Sequence, residues 1–215
     1  MSNEMFEKMS QSIIDGEAEV AEELANKAVA EGINPLEAIN KGFVKGVNYV
    51  GSQFEKGDMF LPELVMAGEA MKGAIRILEG ELEKRGLERE TLGKVIIGTV
   101  QGDIHDIGKT LVAVMLSVSG FDVIDMGVDV PVVDMVAKAR EVGADIIAMS
   151  ALLTTTMVRQ RDVIEAMEDV GIRDKAKAMV GGAPVTRSWV EEIGADGYSE
   201  DAIGAVAEAK KILGI

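Results

Sequence analysis

Residues 95–119 read VIIGTVQGDIHDIGKTLVAVMLSVS, and the change of rhythm inside this stretch decides the fold. Val95–Val100 is a short apolar run rich in β-branched side chains, the pattern of a buried strand. A polar loop from Gln101 to Asp106 follows, and Ile107–Ser119 then reads as a helix. The same strand–loop–helix unit recurs downstream. Predicted strands at Asp122–Met126, Ile146–Ser150, Ala178–Val180 and Gly197–Tyr198 alternate with predicted helices at Val132–Val142, Thr156–Val170, Arg187–Ile193 and Asp201–Leu213. Five strands alternating with five helices predict a parallel, doubly wound α/β domain, flavodoxin-like (Rossmann-like), with strand order 2-1-3-4-5. Such sheets bind ligands outside the carboxyl ends of their strands, where the order reverses between strands 1 and 3.

Upstream the pattern is helical only, which predicts an N-terminal all-α helical bundle of about four helices. Asp15 is expected to cap a helix from Glu17 to Glu31 that stops at Gly32. Asn34-Pro35 reads as an N-cap followed by proline in the first turn. Leu36, Ile39, Phe43, Val47 and Val50 then recur at steps of three and four, a helical stripe. Gly57-Asp58 breaks that helix and Pro62 begins another, with Leu64, Val65, Ala67, Met71, Ile75 and Leu78 turned inward. The charged stretch EKRGLERETL, from Glu83 to Leu92, reads as the linker. The expected domains are 1–90 and 91–215, with no internal repeat.

Composition narrows the function classes. The net charge of −15 repels phosphate backbones and argues against nucleic-acid binding. The chain has no cysteine, which excludes disulfides, thiolate metal sites and cysteine nucleophiles. No run approaches the ~18 apolar residues of a membrane helix. The N-terminus, MSNEMFEKMS, has no signal-peptide core. A cytoplasmic protein without a membrane partner is expected. Aromatic residues are 4% of the chain, so its core must be built from aliphatic side chains and methionine.

Chemistry concentrates in the strand-end loops. Gln101-Gly102-Asp103-Ile104-His105-Asp106-Ile107-Gly108-Lys109 holds the only histidine of the chain. Ser150-Ala151-Leu152-Leu153-Thr154-Thr155-Thr156 follows strand 3, and Gly181-Gly182-Ala183-Pro184 follows strand 4. A histidine at a strand end is a candidate metal ligand, and its second ring nitrogen needs an orienting partner, commonly a carboxylate. Asp103, two residues away, is placed for that role, and a hydroxyl of the neighbouring loop could in turn bond Asp103. Gly108 and the Gly181-Gly182 pair allow a ligand close to the backbone. The same features are also compatible with plain loop chemistry: Asp106 as an N-cap, the glycine pair as a tight turn, and Ser150, Thr154 and Thr156 as helix caps. Zinc is a poor fit, because one histidine among carboxylates is not a zinc ligand set.

Asp103-x-His105-x-x-Gly108, then Ser150-x-Leu152, then Gly181-Gly182, resembles the three-part cobalamin-binding signature of the B12-dependent methyltransferases. The resemblance spans nearly the whole chain. Phe60-Leu61-Pro62-Glu63 and the helix through Met71 are similar to the helical cap domain that precedes the corrinoid domain in these proteins. The family indicated is the corrinoid proteins of the methylamine, glycine betaine and methanol systems, with the methylamine type nearest in GGAPVT and EEIGADGYSEDA.

The resemblance implies a cobalamin-type corrinoid bound base-off, with His105 as the lower axial ligand to cobalt and Asp103 bonded to it. It places Thr156 where a related enzyme has the serine that completes this relay. Gly102, Ile104, Asp106, Ile107 and Gly108 are implied around the ligand loop. Ser150, Leu152, Thr154, Gly181 and Gly182 are implied along the buried nucleotide tail. When His105 leaves cobalt, Asp103 would stabilise the protonated ring. The helical cap would cover the methyl-bearing face and move aside for partner enzymes, with Phe60, Met66 and Met71 either lying against that face or serving as core residues of the cap. The implied role is a non-catalytic methyl carrier in one-carbon metabolism such as methanogenesis or acetogenesis. Its expected partners are a substrate:corrinoid methyltransferase, a second methyltransferase that uses tetrahydrofolate or coenzyme M, and a reductive activase. A cobalamin-binding subunit of an adenosylcobalamin-dependent mutase is the alternative, but such subunits carry Gly-His-Asp-Arg-Gly where Ile104, Asp106 and Ile107 stand here. A signalling receiver domain would need an aspartate where strand 3 ends in Ser150. A B12-dependent sensor would need a DNA-binding domain.

Overall fold

The computed structural model describes residues 2–87 and 89–215. The chain divides into two compact units, 1–90 and 91–215. Met1, at the start of the first expected domain, and Glu88, within the expected linker, lie outside the described residues.

The first unit contains α1 (Ser2–Ile14), α2 (Ala18–Ala30), the single turn α3 (Pro35–Glu37), a π-helical turn (Ala38–Phe43), α4 (Val44–Lys56) and α5 (Leu61–Lys84). Asn34 accepts the Leu36 N–H at 2.9 Å and starts α3, with Pro35 at the first position. The Glu63 carboxylate accepts the Phe60 N–H at the start of α5. Ala21, Ala25 and Ala28 of α2 and Ala67, Ala70 and Ala74 of α5 are all fully buried, and small side chains let these two helices pack closely. Met9, Ile13, Phe43, Val50, Leu78 and Leu82 fill the remaining core. Met71 belongs to that core, whereas Phe60 and Met66 are exposed.

Three local expectations are corrected here. Asp15 does not cap α2: it closes α1, where its side chain accepts from Gln11, and Glu17 stands at the α2 N-cap position without a side-chain bond. The stripe from Leu36 to Val50 is not one continuous α-helix. A π turn interrupts it, and Ile39 and Phe43, four residues apart within that turn, are both buried. Glu83 and Lys84, assigned to the linker, are the last residues of α5.

The second unit has five parallel strands in the order β2-β1-β3-β4-β5. These are β1 (Lys94–Thr99), β2 (Asp122–Asp125), β3 (Ile146–Ser150), β4 (Lys177–Gly181) and β5 (Gly197–Tyr198). The helices are α6 (Ile107–Val118), α7 (Val132–Val142), α8 (Thr154–Asp169), α9 (Arg187–Ile193) and α10 (Ala202–Leu213). Alternation along each strand builds two cores. Val95 and Ile97 of β1, with Ile146, Ala148 and Met179, face α6 and α10 through Leu116, Ala205 and Ala209. Ile96, Ile147, Ala178 and Val180 face α7, α8 and α9 through Met135, Met167 and Trp189. Gln160 of α8 ties the ends of two strands together. Its buried amide donates to the Met149 and Gly181 carbonyls and accepts from Trp189 Nε1.

Helix α8 starts at Thr154, two residues before the expected Thr156, with Leu153 at the N-cap position and no side-chain cap of its own. The Leu152 and Leu153 N–H groups just before this end, and the Thr156 hydroxyl in its first turn, are met by the Asp103 carboxylate from another loop.

Candidate functional site

The loops after β1 and β3 converge on one buried carboxylate. Asp103 is 1% exposed. Its Oδ1 accepts from His105 Nδ1 at 2.6 Å and from the His105 N–H at 3.1 Å. Its Oδ2 accepts from the Thr156 hydroxyl at 2.7 Å, the Leu152 N–H at 2.8 Å and the Leu153 N–H at 3.3 Å. Burial alone would raise the Asp103 pKa. The bonds from Thr156, from His105 and from the Leu152 and His105 N–H groups outweigh it and hold the carboxyl well below the usual carboxylate range. Asp103 also stands at the start of α8, where the helix dipole favours an anion.

An ionised carboxylate only accepts. The hydrogen between His105 and Asp103 must therefore sit on Nδ1, and in the neutral ring the lone pair is left on Nε2. The His105 side chain is 48% exposed, and the residue lines a cavity of about 680 Å³. The Thr156 hydroxyl oxygen also lies 3.0 Å from the Leu153 carbonyl, but its single proton is better used on the anion.

The cavity opens at the carboxyl ends of β1, β3, β4 and β5 and runs down the sheet face covered by α6 and α10. Its deep wall is aliphatic: Ile97, Ala148, Met179, Leu111, Val112 and Ala205. Polar side chains stand at the strand-end level, among them His105, Ser150, Ser199 and Asp201. Of the residues singled out in the sequence, Ile104, His105, Asp106, Ile107, Gly108, Ser150, Leu152, Gly181 and Gly182 line it. Asp103 and Thr156 are buried behind the lining, and Gly102 and Thr154 are exposed outside it, Thr154 in the first turn of α8. Asp106 occupies the α6 N-cap position but its side chain caps nothing. The β5–α10 loop, Ser199 to Asp201, completes the wall. This stretch falls within EEIGADGYSEDA, of which no site role was expected, although the strand-end rule points to that loop as much as to the others.

The two glycine positions differ. At Gly182 (φ +119°) a Cβ would lie 1.8 Å from the Ala151 carbonyl oxygen, so the fold itself demands glycine. At Gly108 a Cβ would meet nothing within 4 Å, and the space beside α6 is open toward the cavity.

Among the described residues no group of three or more His, Cys, Asp or Glu side chains could hold a metal ion. A bare ion would find one imidazole, whereas a metal already equatorially bound in a macrocycle needs only that one axial donor. Ile104 and Ile107, 73% and 76% exposed, flank the imidazole and offer apolar surface to such a ring. The donor set, the exposed aliphatics and the deep apolar slot fit a corrinoid with a buried tail.

Comparison with known proteins agrees. A family model described as B12 binding domain matches residues 93–207, and a second of the same description matches residues 5–79. Trimethylamine corrinoid protein 2 of Methanosarcina acetivorans is 50% identical over 210 residues, 98% of this chain and 97% of the relative. Corrinoid protein DSY3155 of Desulfitobacterium hafniense is 47% identical over 211 residues, 98% of each chain. The crystal structure of the methanol:cobalamin methyltransferase complex from Methanosarcina barkeri matches with a TM-score of 0.86 at 29% identity, over 98% of this chain and 80% of that one. No helix among the described residues is long and apolar enough to cross a membrane.

Proposed function

This chain belongs to the corrinoid proteins of methyltransferase systems, and from that premise we propose that it carries a methyl group between two methyltransferases on a corrinoid whose cobalt is held by His105. The observation that carries this reading is the bond from His105 Nδ1 to the ionised Asp103, which turns Nε2 into the available donor of a half-exposed ring at the cavity mouth. Bound there, the corrinoid supplies a cobalt atom that takes up and gives up a methyl group.

The residues of the chain do the rest. The aliphatic wall from Ile97 to Met179 excludes water from the tail of the ligand. Gly108, Gly181 and Gly182 give it passage along the backbone, and Ser150 and Leu152 line its path. Asp103 holds the Nδ1 proton and keeps the ring in one tautomer. A His105 ring free to take a second proton at Nε2 would have its cation stabilised by the Asp103 carboxylate. Thr156 and the Leu152 N–H keep Asp103 ionised through both states.

The first partner in this reading is a substrate:corrinoid methyltransferase for a methylated amine or a related donor. The resemblance to corrinoid proteins of trimethylamine systems and to the methanol system's complex supports that class. A second methyltransferase passes the methyl group to tetrahydrofolate or coenzyme M, and a reductive activase restores oxidised cobalt. Reconstitution of the full chain with hydroxocobalamin, beside His105→Ala, tests the ligand. The cobalt(II) form of the parent should show nitrogen coupling by EPR that the variant lacks. Folded parent protein that retains no corrinoid would refute the reading.

A further inference from the structure

Asp129 is the sole non-glycine residue with positive φ (53°) among the described residues. Left-handed backbone is disfavoured for L-residues, and Asp and Asn tolerate it best because their short side chains bond locally. Here the bonds run to the loop that carries His105. The Gly102 N–H donates to Asp129 Oδ1 at 2.6 Å, and the Asp129 N–H donates to the Asp103 carbonyl at 2.9 Å. Flanking bonds join the same two segments: the Thr99 N–H to the Gly127 carbonyl and the Val130 N–H to the Thr99 carbonyl, both at 3.0 Å.

The far end of the ligand loop is held by the same β2 loop. The Lys109 amine, 3% exposed, pairs with Asp125, whose other oxygen accepts the Gly127 N–H at 2.8 Å. His105 lies between these two anchorages, and its carbonyl accepts from the Thr99 hydroxyl at 2.8 Å. Among the described residues its ring has one hydrogen-bond partner, Asp103. The backbone of residues 102–103 therefore sets where the imidazole points.

We propose that Asp129 is a positioning residue for the cobalt ligand: its carboxylate accepts the Gly102 N–H and its left-handed backbone donates to the Asp103 carbonyl, a clamp on the backbone either side of Gly102 and Asp103 that aims His105 at the cavity. This rests on the reading of His105 as the axial ligand. The arrangement makes two demands on residue 129, tolerance of positive φ and an acceptor oxygen three bonds from Cα. Glycine meets only the first. Asparagine meets both.

The experiment compares the full-length parent, Asp129→Gly, Asp129→Asn and His105→Ala, each with and without bound hydroxocobalamin-derived corrinoid. In the apo proteins the single histidine gives one set of imidazole NMR signals. Exchange of the Nδ1 proton should quicken about tenfold in Asp129→Gly and stay near the parent value in Asp129→Asn. In the cobalt(II) holo proteins the ratio of nitrogen-coupled to uncoupled EPR signal should fall about five- to tenfold in Asp129→Gly, with corrinoid content unchanged, and recover in Asp129→Asn. Parent-like exchange and parent-like coupling in Asp129→Gly overturn the proposal, and so does equal loss in Asp129→Gly and Asp129→Asn. A parent that retains corrinoid but shows no coupling that His105→Ala removes overturns the ligand reading instead, and the apo exchange rates still decide whether Asp129 positions the ring.

Discussion

The Thr156 hydroxyl donates to Asp103 Oδ2 at 2.7 Å although the two residues are 53 positions apart. The bond joins α8 to the loop that carries the histidine. Thr156→Ala removes a donor from a buried anion and should lower stability by about 1.5–3 kcal/mol. Thr156→Ser, which keeps the hydroxyl, should recover most of it. Urea unfolding of the two apo variants checks this. Equal midpoints for parent and alanine variant would mean the bond contributes nothing.

Asp103→Asn is nearly isosteric and should nevertheless be costly. All the groups around Asp103 present hydrogens, and an amide can meet one cluster with its oxygen only by turning its own N–H groups toward the other. A loss of about 2–3 kcal/mol in apo stability follows. The His105 ring should also lose its fixed tautomer, visible as a change in imidazole nitrogen shifts.

The depressed Asp103 pKa makes stability depend on pH with a definite sign. The unfolded carboxyl titrates near about 3.9 and the folded one lower, so above the unfolded value the folded state gains the full benefit. As the pH falls through the unfolded value toward the folded one, the unfolded chain binds the proton first and the benefit is lost. The difference in unfolding free energy between the parent and Asp103→Asn should therefore shrink as the pH falls through the unfolded carboxyl value toward about 3. A difference that grows on acidification would contradict the assignment.

Gly108 and Gly182 should respond in opposite ways to alanine. In Gly182→Ala the new Cβ meets the Ala151 carbonyl and an unfavourable φ, for a loss of about 3 kcal/mol or more. Gly108→Ala lies in the first turn of α6 with open space around it, and helix propensity alone should stabilise the apo protein by about 0.5–1 kcal/mol. The same methyl group narrows the cavity, so retention of corrinoid after desalting should fall. Paired thermal melts and cobalt analyses separate the two effects.

Much of this architecture is written in local sequence. The short apolar runs at Val95–Val100 and Ile146–Ser150 and the helical stretches between such runs determine a doubly wound sheet, and the strand-end rule leads to His105 before any motif is considered. Other features depend on contacts between distant segments, and no local pattern carries them. The segment that leads into α8 is held by a carboxylate from another loop, Asp103. The π turn at Ala38–Phe43 hides inside a regular apolar stripe. Asp15 reads as a cap because its place before α2 looks like one, yet it is used by Gln11. In MGVDV, residues 126–130, nothing marks Asp129 as left-handed, since aspartate is ordinary in every loop.

Asp103 serves two tasks with its two oxygens: one holds a histidine, the other closes the start of a helix. Mutational tolerance at His105 and at Thr156 is therefore not independent, since a change at either alters the value of the same carboxylate to the other. A replacement at 103 that suits one neighbour alone fails against the other, and an acceptable substitute would have to arise together with compensating changes on both loops. Such coupling isolates this combination of residues from single-step alternatives, so that drift elsewhere in the domain can proceed while this corner stays fixed.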